Sequence, residues 1–367
     1  MLYYKKYLQK EEIERRTQRY GFPQPHLLEL LVYDYELFRQ LLALSRKFVL
    51  KGGAAAQLFF PVKQQRASID IDLITSHTPE EVEDLFVNRL SKLDFASVKV
   101  HVPKKPKKNL PLVTYLVDLP SVTRESCQVK IDILFEEIGS YKVETIKERE
   151  LFALKVTGNL PCVTPGSLIA DKLLTLASRS IGIDKEREDQ MPKHLYDLFR
   201  LMKVMKQKDF DDVLFSFPRI AKSEMRFRKI EHGLKDIIGH VDEVLSEVTR
   251  VDYKDERMKK LINDFQSAYV NKEARGNLQD WVIGALKVRY LLKTIEEALI
   301  RKKDKRKALE KSMECEREVN EIEGMAIGDK RELREKLLQE AKEKLSYWKS
   351  IKGTSEVRIH LELKQLE

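Results

Sequence analysis

The apolar positions of this chain change period several times, and the changes mark its elements. Residues 9–19 read as a charged helix that stops near Gly21-Phe22-Pro23. From His26 to Ser45 the leucines recur at helical spacing, Leu27, Leu30, Leu31, Leu37, Leu41 and Leu44, which predicts a core helix. It leads into a short apolar strand at 48–50, closed by Gly52-Gly53, where a second helix opens at Ala54. From Ile69 the period drops to two. Ile69, Ile71 and Leu73 fall on one side of a strand and Asp70 and Asp72 on the other. Thr78-Pro79 is an N-cap and first-turn pair for a helix to about residue 93. Strand-like runs follow at 96–102, 110–119 and 128–135, with Pro103 and the lysines 104, 105, 107 and 108 in an exposed loop or hairpin tip. Residues 141–156 fit short strands or turns. Thr164-Pro165 caps a helix expected to reach residue 180, and a charged loop separates it from another at 193–205.

Beyond residue 206 the pattern is almost wholly helical, so the boundary between a domain at 1–205 and one at 206–367 is placed there. Gly324 and Gly328 divide the charged stretch after Trp281 into a helical hairpin, whose second arm carries Leu333, Leu337, Ala341 and Leu345 as one stripe. Val357, Ile359, Leu361 and Leu363 alternate with polar residues and predict a terminal strand. The fold class is therefore α+β, a mixed sheet followed by an α-helical C-terminal domain. With 367 residues the chain can bury two cores. No run approaches the roughly 20 apolar residues of a membrane span. The first residues lack an apolar signal region, so no membrane partner and a cytoplasmic location are expected. Cys127, Cys162 and Cys315 are few and scattered, as reduced thiols of that compartment would be. A net charge of +9 favours a polyanionic partner.

Two carboxylates on one face of a strand, backed by a core, repel each other, and a divalent cation relieves the repulsion. The glycine pair lets a phosphate approach backbone N–H groups at a helix start. A phosphate cradle facing a carboxylate pair suggests metal-assisted nucleotidyl transfer. Asp132, beside Lys130 on another alternating strand, is a third acidic candidate; the alternative is a Lys–Asp pair on a solvated face. Lys51 is a phosphate contact or a surface lysine, and Arg66 a phosphate contact or a loop-locking ion pair. Lys172 and Arg179, seven residues apart, would share a helix face. Arg301 to Lys307, like the lysines at 104–108, could track a nucleic-acid backbone or be solvated surface.

Lys51-Gly52-Gly53-Ala54-Ala55 followed by Arg66-x-Ser68-x-Asp70-x-Asp72 resembles the AbiEii/AbiGii toxin family of nucleotidyltransferases, which includes the MenT toxins, within the wider DNA-polymerase-β-type fold. Sixteen residues separate Gly53 from Asp70, more than the wider fold usually shows. The resemblance covers about residues 25–203. It implies Asp70, Asp72 and Asp132 as metal ligands for Mg²⁺, with Mn²⁺ as a substitute, and an NTP substrate held by Lys51, Gly52, Gly53, Arg66, Ser68, Lys172 and Arg179. Lys172 and Arg179 resemble the family's third motif, and Asp197 its fourth, where His194 stands in place of the usual acid. Lys172 and Asp197 would join the catalytic set; a structural salt bridge is the alternative. The activity implied is transfer of NMP from an NTP to a hydroxyl, by the toxin of a type IV toxin–antitoxin or phage-defence (abortive infection) system. A tRNA 3′ end would be the acceptor and a neighbouring gene would encode the antitoxin. The rivals are transfer to a protein or small molecule, and a non-catalytic nucleotide- or RNA-binding scaffold.

Overall fold

The computed structural model describes residues 2–93, 96–101, 110–136, 138–251 and 255–366. The lysines at 104, 105, 107 and 108 lie outside them. The chain divides into two compact units whose segments interleave. The first comprises Met1–Lys172, Lys203–Glu231 and Leu261–Arg275; the second comprises Leu173–Met202, His232–Lys260 and Gly276–Glu367. No single cut near residue 206 separates these units, because later segments return to the first. Ala67 N–H donates to Tyr269 O (2.9 Å) and Asn271 Nδ2 to Lys63 O (2.8 Å).

Helices α1 (Lys10–Tyr20) and α2 (Pro25–Leu44) open the first unit. The second is buried along most of its length, and Pro25 starts it where a missing N–H costs nothing. Then come β1 (Phe48–Lys51), α3 (Gly52–Gln57), β2 (Asp70–Thr75), α4 (Pro79–Glu83), β3 (Ser97–His101), β4 (Leu112–Leu119), β5 (Cys127–Phe135), β6 (Val143–Glu150) and β7 (Lys155–Val163). One seven-stranded sheet results, in the order β3-β4-β5-β2-β1-β7-β6. It is mixed: β2 runs parallel to β5 and β1 to β7, while the other neighbours are antiparallel. The expected cap at Thr78 forms a full capping box with Glu81. Residues 141–156 resolve into strands: β6 and β7 form a hairpin, obscured in the sequence because the edge strand β6 is crowded with charges and β7 contains Gly158 and Pro161. Helix α5 (Pro165–Thr175) ends five residues short of the expected 180. The chain turns back there, with Gly182 N–H on Ala177 O (2.8 Å) and Ile183 N–H on Thr175 O (2.9 Å).

Helices α6 (Met191–Val204), α7 (Gln207–Arg228), α8 (Leu234–Thr249), α9 (Glu256–Tyr269), α10 (Leu278–Leu299), α11 (Lys305–Gly324), α12 (Ile327–Lys344), α13 (Trp348–Ile351) and α14 (Glu356–Lys364) complete the chain. The expected hairpin is α11 and α12, with Leu337, Ala341 and Leu345 buried. The expected terminal strand is instead helix α14. Val357 and Leu361 pack with Val282, Leu286, Tyr290 and Val319, whereas Ile359 and Leu363 pack with Leu337, Ala341 and Leu345. Apolar residues two apart thus serve opposite sides of one buried helix, which mimics a strand's alternation.

Candidate active site

The centre of the sheet places the acidic residues. In the β1–β2 register Lys51 faces Asp72, and in the β2–β5 register Asp70 faces Lys130 and Asp72 faces Asp132. Ile71 and Leu73 are fully buried, as alternation requires. Ile69 is not: it precedes the strand and is 38% exposed. The glycine pair joins β1 to α3 directly beneath this strand. Gly52 has φ +70°, and a Cβ there would lie 1.9 Å from Asp72 Oδ2. A Cβ on Gly53 would lie 2.7 Å from Arg66 Nη2 and 2.9 Å from Ser68 Oγ. Both glycines are buried, so their missing side chains make room for Asp72, Arg66 and Ser68. Arg66 and Ser68 are themselves buried; Arg66 Nη1 donates to Ala67 O (2.9 Å), and its backbone N–H to Gln57 Oε1 (2.8 Å).

Charge is concentrated here. Burial, then the neighbouring Asp70 and Asp132 carboxylates, push Asp72 up to about 6, against the pull of Lys51 and Lys172. Asp132 accepts from Thr114 Oγ1 (2.6 Å) and contacts Lys130 Nζ. The Lys–Asp pair foreseen on β5 therefore exists, and its carboxylate also acts on Asp72. Lys51 Nζ bonds Asp171 Oδ1 on α5 (3.0 Å) and Tyr141 Oη (3.3 Å). Burial alone would lower the Lys51 pKa, but Asp171, Tyr141 and Asp72 carry it well above its ordinary value. Lys172, also on α5, is buried at 3% exposure. Arg179 lies in the turn after α5, not on its helical face, and pairs with Glu243 (2.9 Å). The shared face expected for Lys172 and Arg179 is absent because the helix ends at Thr175. Arg179, His194 and Asp197 fall in the second compact unit, with Asp197 fully buried on α6.

Asp34 was not foreseen. It lies on α2 at 1% exposure, and neither carboxylate oxygen has a hydrogen-bond partner among the described residues. Burial, with Asp70 and Asp72 nearby, raises its pKa well above the carboxylate range. Its signal was an acid within the largely apolar run Leu27 to Phe38, but Glu29 and Glu36 share that run and are ordinary anchors. Glu29 accepts from Ser121 Oγ (2.7 Å) and Val122 N–H (2.6 Å), and Glu36 from Tyr4 N–H (2.7 Å). Thr114, Tyr141 and Asp171 also escaped sequence reasoning, since only long-range register brings them here.

Among the described residues no three His, Cys, Asp or Glu side chains converge as a ready-made metal cage. Mg²⁺ often takes one or two carboxylates and completes its shell with substrate phosphates and water. Asp70 and Asp72 offer that donor set, with Asp132 paired to Asp72 across the sheet, and the raised Asp72 pKa reflects burial first and then these neighbouring carboxylates, whose charge a cation would offset. The residues fit the ion.

A family model described as "Nucleotidyl transferase AbiEii toxin, Type IV TA system" matches residues 36–271, well over half of the chain. The chain belongs to the AbiEii nucleotidyltransferase toxin family. The match extends past residue 203, where the motif-level resemblance stopped, through the segments that return to the first unit. No curated protein matches the sequence. Similar solved structures include MenT4, the nucleotidyltransferase toxin Rv2826c of Mycobacterium tuberculosis H37Rv, at 13% identity and a TM-score of 0.46, covering 80% of this chain and 99% of that one. Another, assigned as a nucleotidyltransferase from H. pylori, has 16% identity and a TM-score of 0.39, covering 76% and 96%. As an AbiEii member the protein is a nucleotidyltransferase, and no helix among its described residues is long and apolar enough to cross a membrane.

Proposed function

We propose that this AbiEii toxin transfers a nucleoside monophosphate from an NTP to the 3′ hydroxyl of an RNA, with tRNA as the acceptor, and depends on Mg²⁺. The observation that carries the reading is Asp72 seated over Gly52 and facing Asp132 across the β2–β5 pair. Asp70 and Asp72 would hold the metal, which supplies charge neutralisation at the reacting phosphate and acidifies the attacking hydroxyl. Asp132, oriented by Thr114 and Lys130, accepts the proton of that hydroxyl. The hydroxyl oxygen bonds to the α-phosphorus, the bond from that phosphorus to the bridging oxygen breaks, and pyrophosphate leaves. Arg66 and Lys172 bring positive charge to the triphosphate, with Gly53 and Ser68 shaping its approach. Lys51 ties β1 to α5 through Asp171, which keeps Lys172 in register with the acidic strand. Arg179 and Asp197 remain nucleotide-contact candidates on the strength of the family motifs alone. The RNA acceptor rests on the family and on the net charge of +9, and the neutralising partner is an antitoxin encoded nearby, in a phage-defence setting.

The test is incubation with Mg²⁺, each labelled NTP in turn, total RNA and total protein, with Asp70→Ala as the inactive control. Label in a tRNA-sized band that the control lacks is the expected result. Label on protein alone, or equal labelling by the control, would overturn the reading.

A further inference from the structure

The outer face of α7 carries a feature that the nucleotide site leaves unused. Its inner face packs on the same unit: Ser216 Oγ lies 2.7 Å from Ser167 Oγ on α5, and Ser216, Phe217, Ile220, Ala221 and Ser223 are buried. Facing solvent are Arg219, Lys222 and Arg226, spaced three and four apart and therefore on one side of the helix, with Lys229 exposed at its C-terminal cap. At the head of this row Phe215 is clasped between two cations, with Arg219 Cζ 3.8 Å and Lys142 Nζ 3.9 Å from its ring centre. Among the described residues no acidic side chain pairs with any of the four. The cationic run at 301–307 is different. There Arg301 meets Glu296 (3.3 Å), Lys303 meets Glu297 (2.7 Å) and Arg306 meets Glu310 (3.5 Å), so much of its charge is answered within the fold.

We propose that this face of α7 is the docking surface for the phosphate backbone of the acceptor RNA. The inference rests on the RNA reading above and adds where the chain is held. Nine residues lie between Arg219 and Lys229, a rise of about 15 Å, enough to follow several consecutive phosphates of one strand. The row offers positive charge along one line, and contacts of such cations to phosphates position a strand without carrying sequence information. Helix α7 is hydrogen-bonded to α5, which carries Lys172 and, through Asp171, holds Lys51, so an RNA held on α7 is tethered to the elements around the acidic strand.

The experiment compares the quadruple variant Arg219→Gln, Lys222→Gln, Arg226→Gln, Lys229→Asn with the wild type. Asn at 229 tolerates the left-handed backbone found there (φ 54°). A charge-matched control neutralises Arg301, Lys305, Arg306 and Lys307. Binding of tRNA is followed by fluorescence anisotropy across a salt series, and NTP binding by calorimetry. The α7 variant should bind tRNA at least tenfold more weakly, with a log–log salt slope shallower by about 3, since each lost phosphate contact removes about 0.7–0.9. Its NTP affinity and circular dichroism should match the wild type, and the control should keep its RNA affinity. If the wild type labels tRNA but the α7 variant binds it unchanged, the docking surface is wrong and the acceptor reading stands. If the wild type neither binds nor labels RNA, both fall. Equal losses in both variants would mean unspecific attraction, which also overturns the proposal.

Discussion

Replacing Gly52 by Ala tests whether the glycine turn and the acidic strand form one mechanical unit. Two separate costs follow from the structure. The first is conformational: at φ +70° a Cβ crowds the following carbonyl, at about 1–2 kcal/mol. The second is contact. The new methyl would sit 1.9 Å from Asp72 Oδ2 and 2.6 Å from its Cγ, so either Asp72 or the β1–α3 turn must move. Overpacking of this kind costs about 1–3 kcal/mol. Together they remove about 2–5 kcal/mol from a stability of order 5–15 kcal/mol. At roughly 2–4 °C per kcal/mol for a unit of this size, Tm should fall by about 4–20 °C. Activity should suffer more than stability, because a misplacement of about 1 Å at a reacting centre costs on the order of a hundredfold. The assay pairs thermal and urea unfolding with single-turnover NMP transfer at a temperature where the variant is folded. Gly52→Asn separates the two costs, since Asn accepts positive φ but still presents its Cβ to Asp72. A Gly52→Ala protein that melts within a degree or two of the wild type and transfers at its rate would refute the reasoning.

Three further outcomes are expected. Lys172→Ala should weaken binding of a non-hydrolysable NTP by at least tenfold in calorimetry, and unchanged affinity would leave Lys172 a purely structural cation. Asp34→Leu should raise stability by about 1–3 kcal/mol at pH 8, the cost of a buried polar group without partners. Because burial raises the Asp34 pKa in the folded state, the unfolded chain releases that proton first as pH rises above about 4. The gain in urea unfolding should therefore be smaller at pH 4 than at pH 8, and a gain independent of pH would contradict the assignment. Mg²⁺ competes with a proton for Asp72, so its apparent affinity should be level at pH 7–8 and weaken, by up to tenfold per unit, as pH falls below about 6. Affinity that is flat down to pH 5 would remove Asp72 from the ligand set.

The sequence spoke clearly where structure is local. The alternation of Ile71 and Leu73 with Asp70 and Asp72, the Thr78 cap and the leucines of α2 are short-range signals, and each is realised. It was silent where the answer depends on register. Nothing near Asp132 in the chain reveals that it lies opposite Asp72, or that Thr114 orients it, because β-strand pairing is decided by distant partners. Lys51 was open between phosphate and surface; its bond to Asp171, 120 residues away, was out of reach. Periodicity misled where a helix is buried on two sides, as α14 is, and where a helix stops early, as α5 does before Arg179. Asp34 was missed because composition cannot distinguish a buried acid with partners from one without.

The interleaved first unit also sets a timetable for synthesis. Arg66, immediately upstream of the acidic strand, forms a backbone bridge to Val270, and the next residue donates to Tyr269. A ribosome that has made β1, β2 and β5 has thus not yet made the segment that fastens their approach loop. At about 5–20 residues per second, the interval from Lys172 to Arg275 lasts roughly 5–20 s. A toxin built this way emerges with its acidic strands complete and the fastening of their approach loop still missing, and a chain terminated before residue 261 would carry all three strand aspartates without the segment that holds that loop.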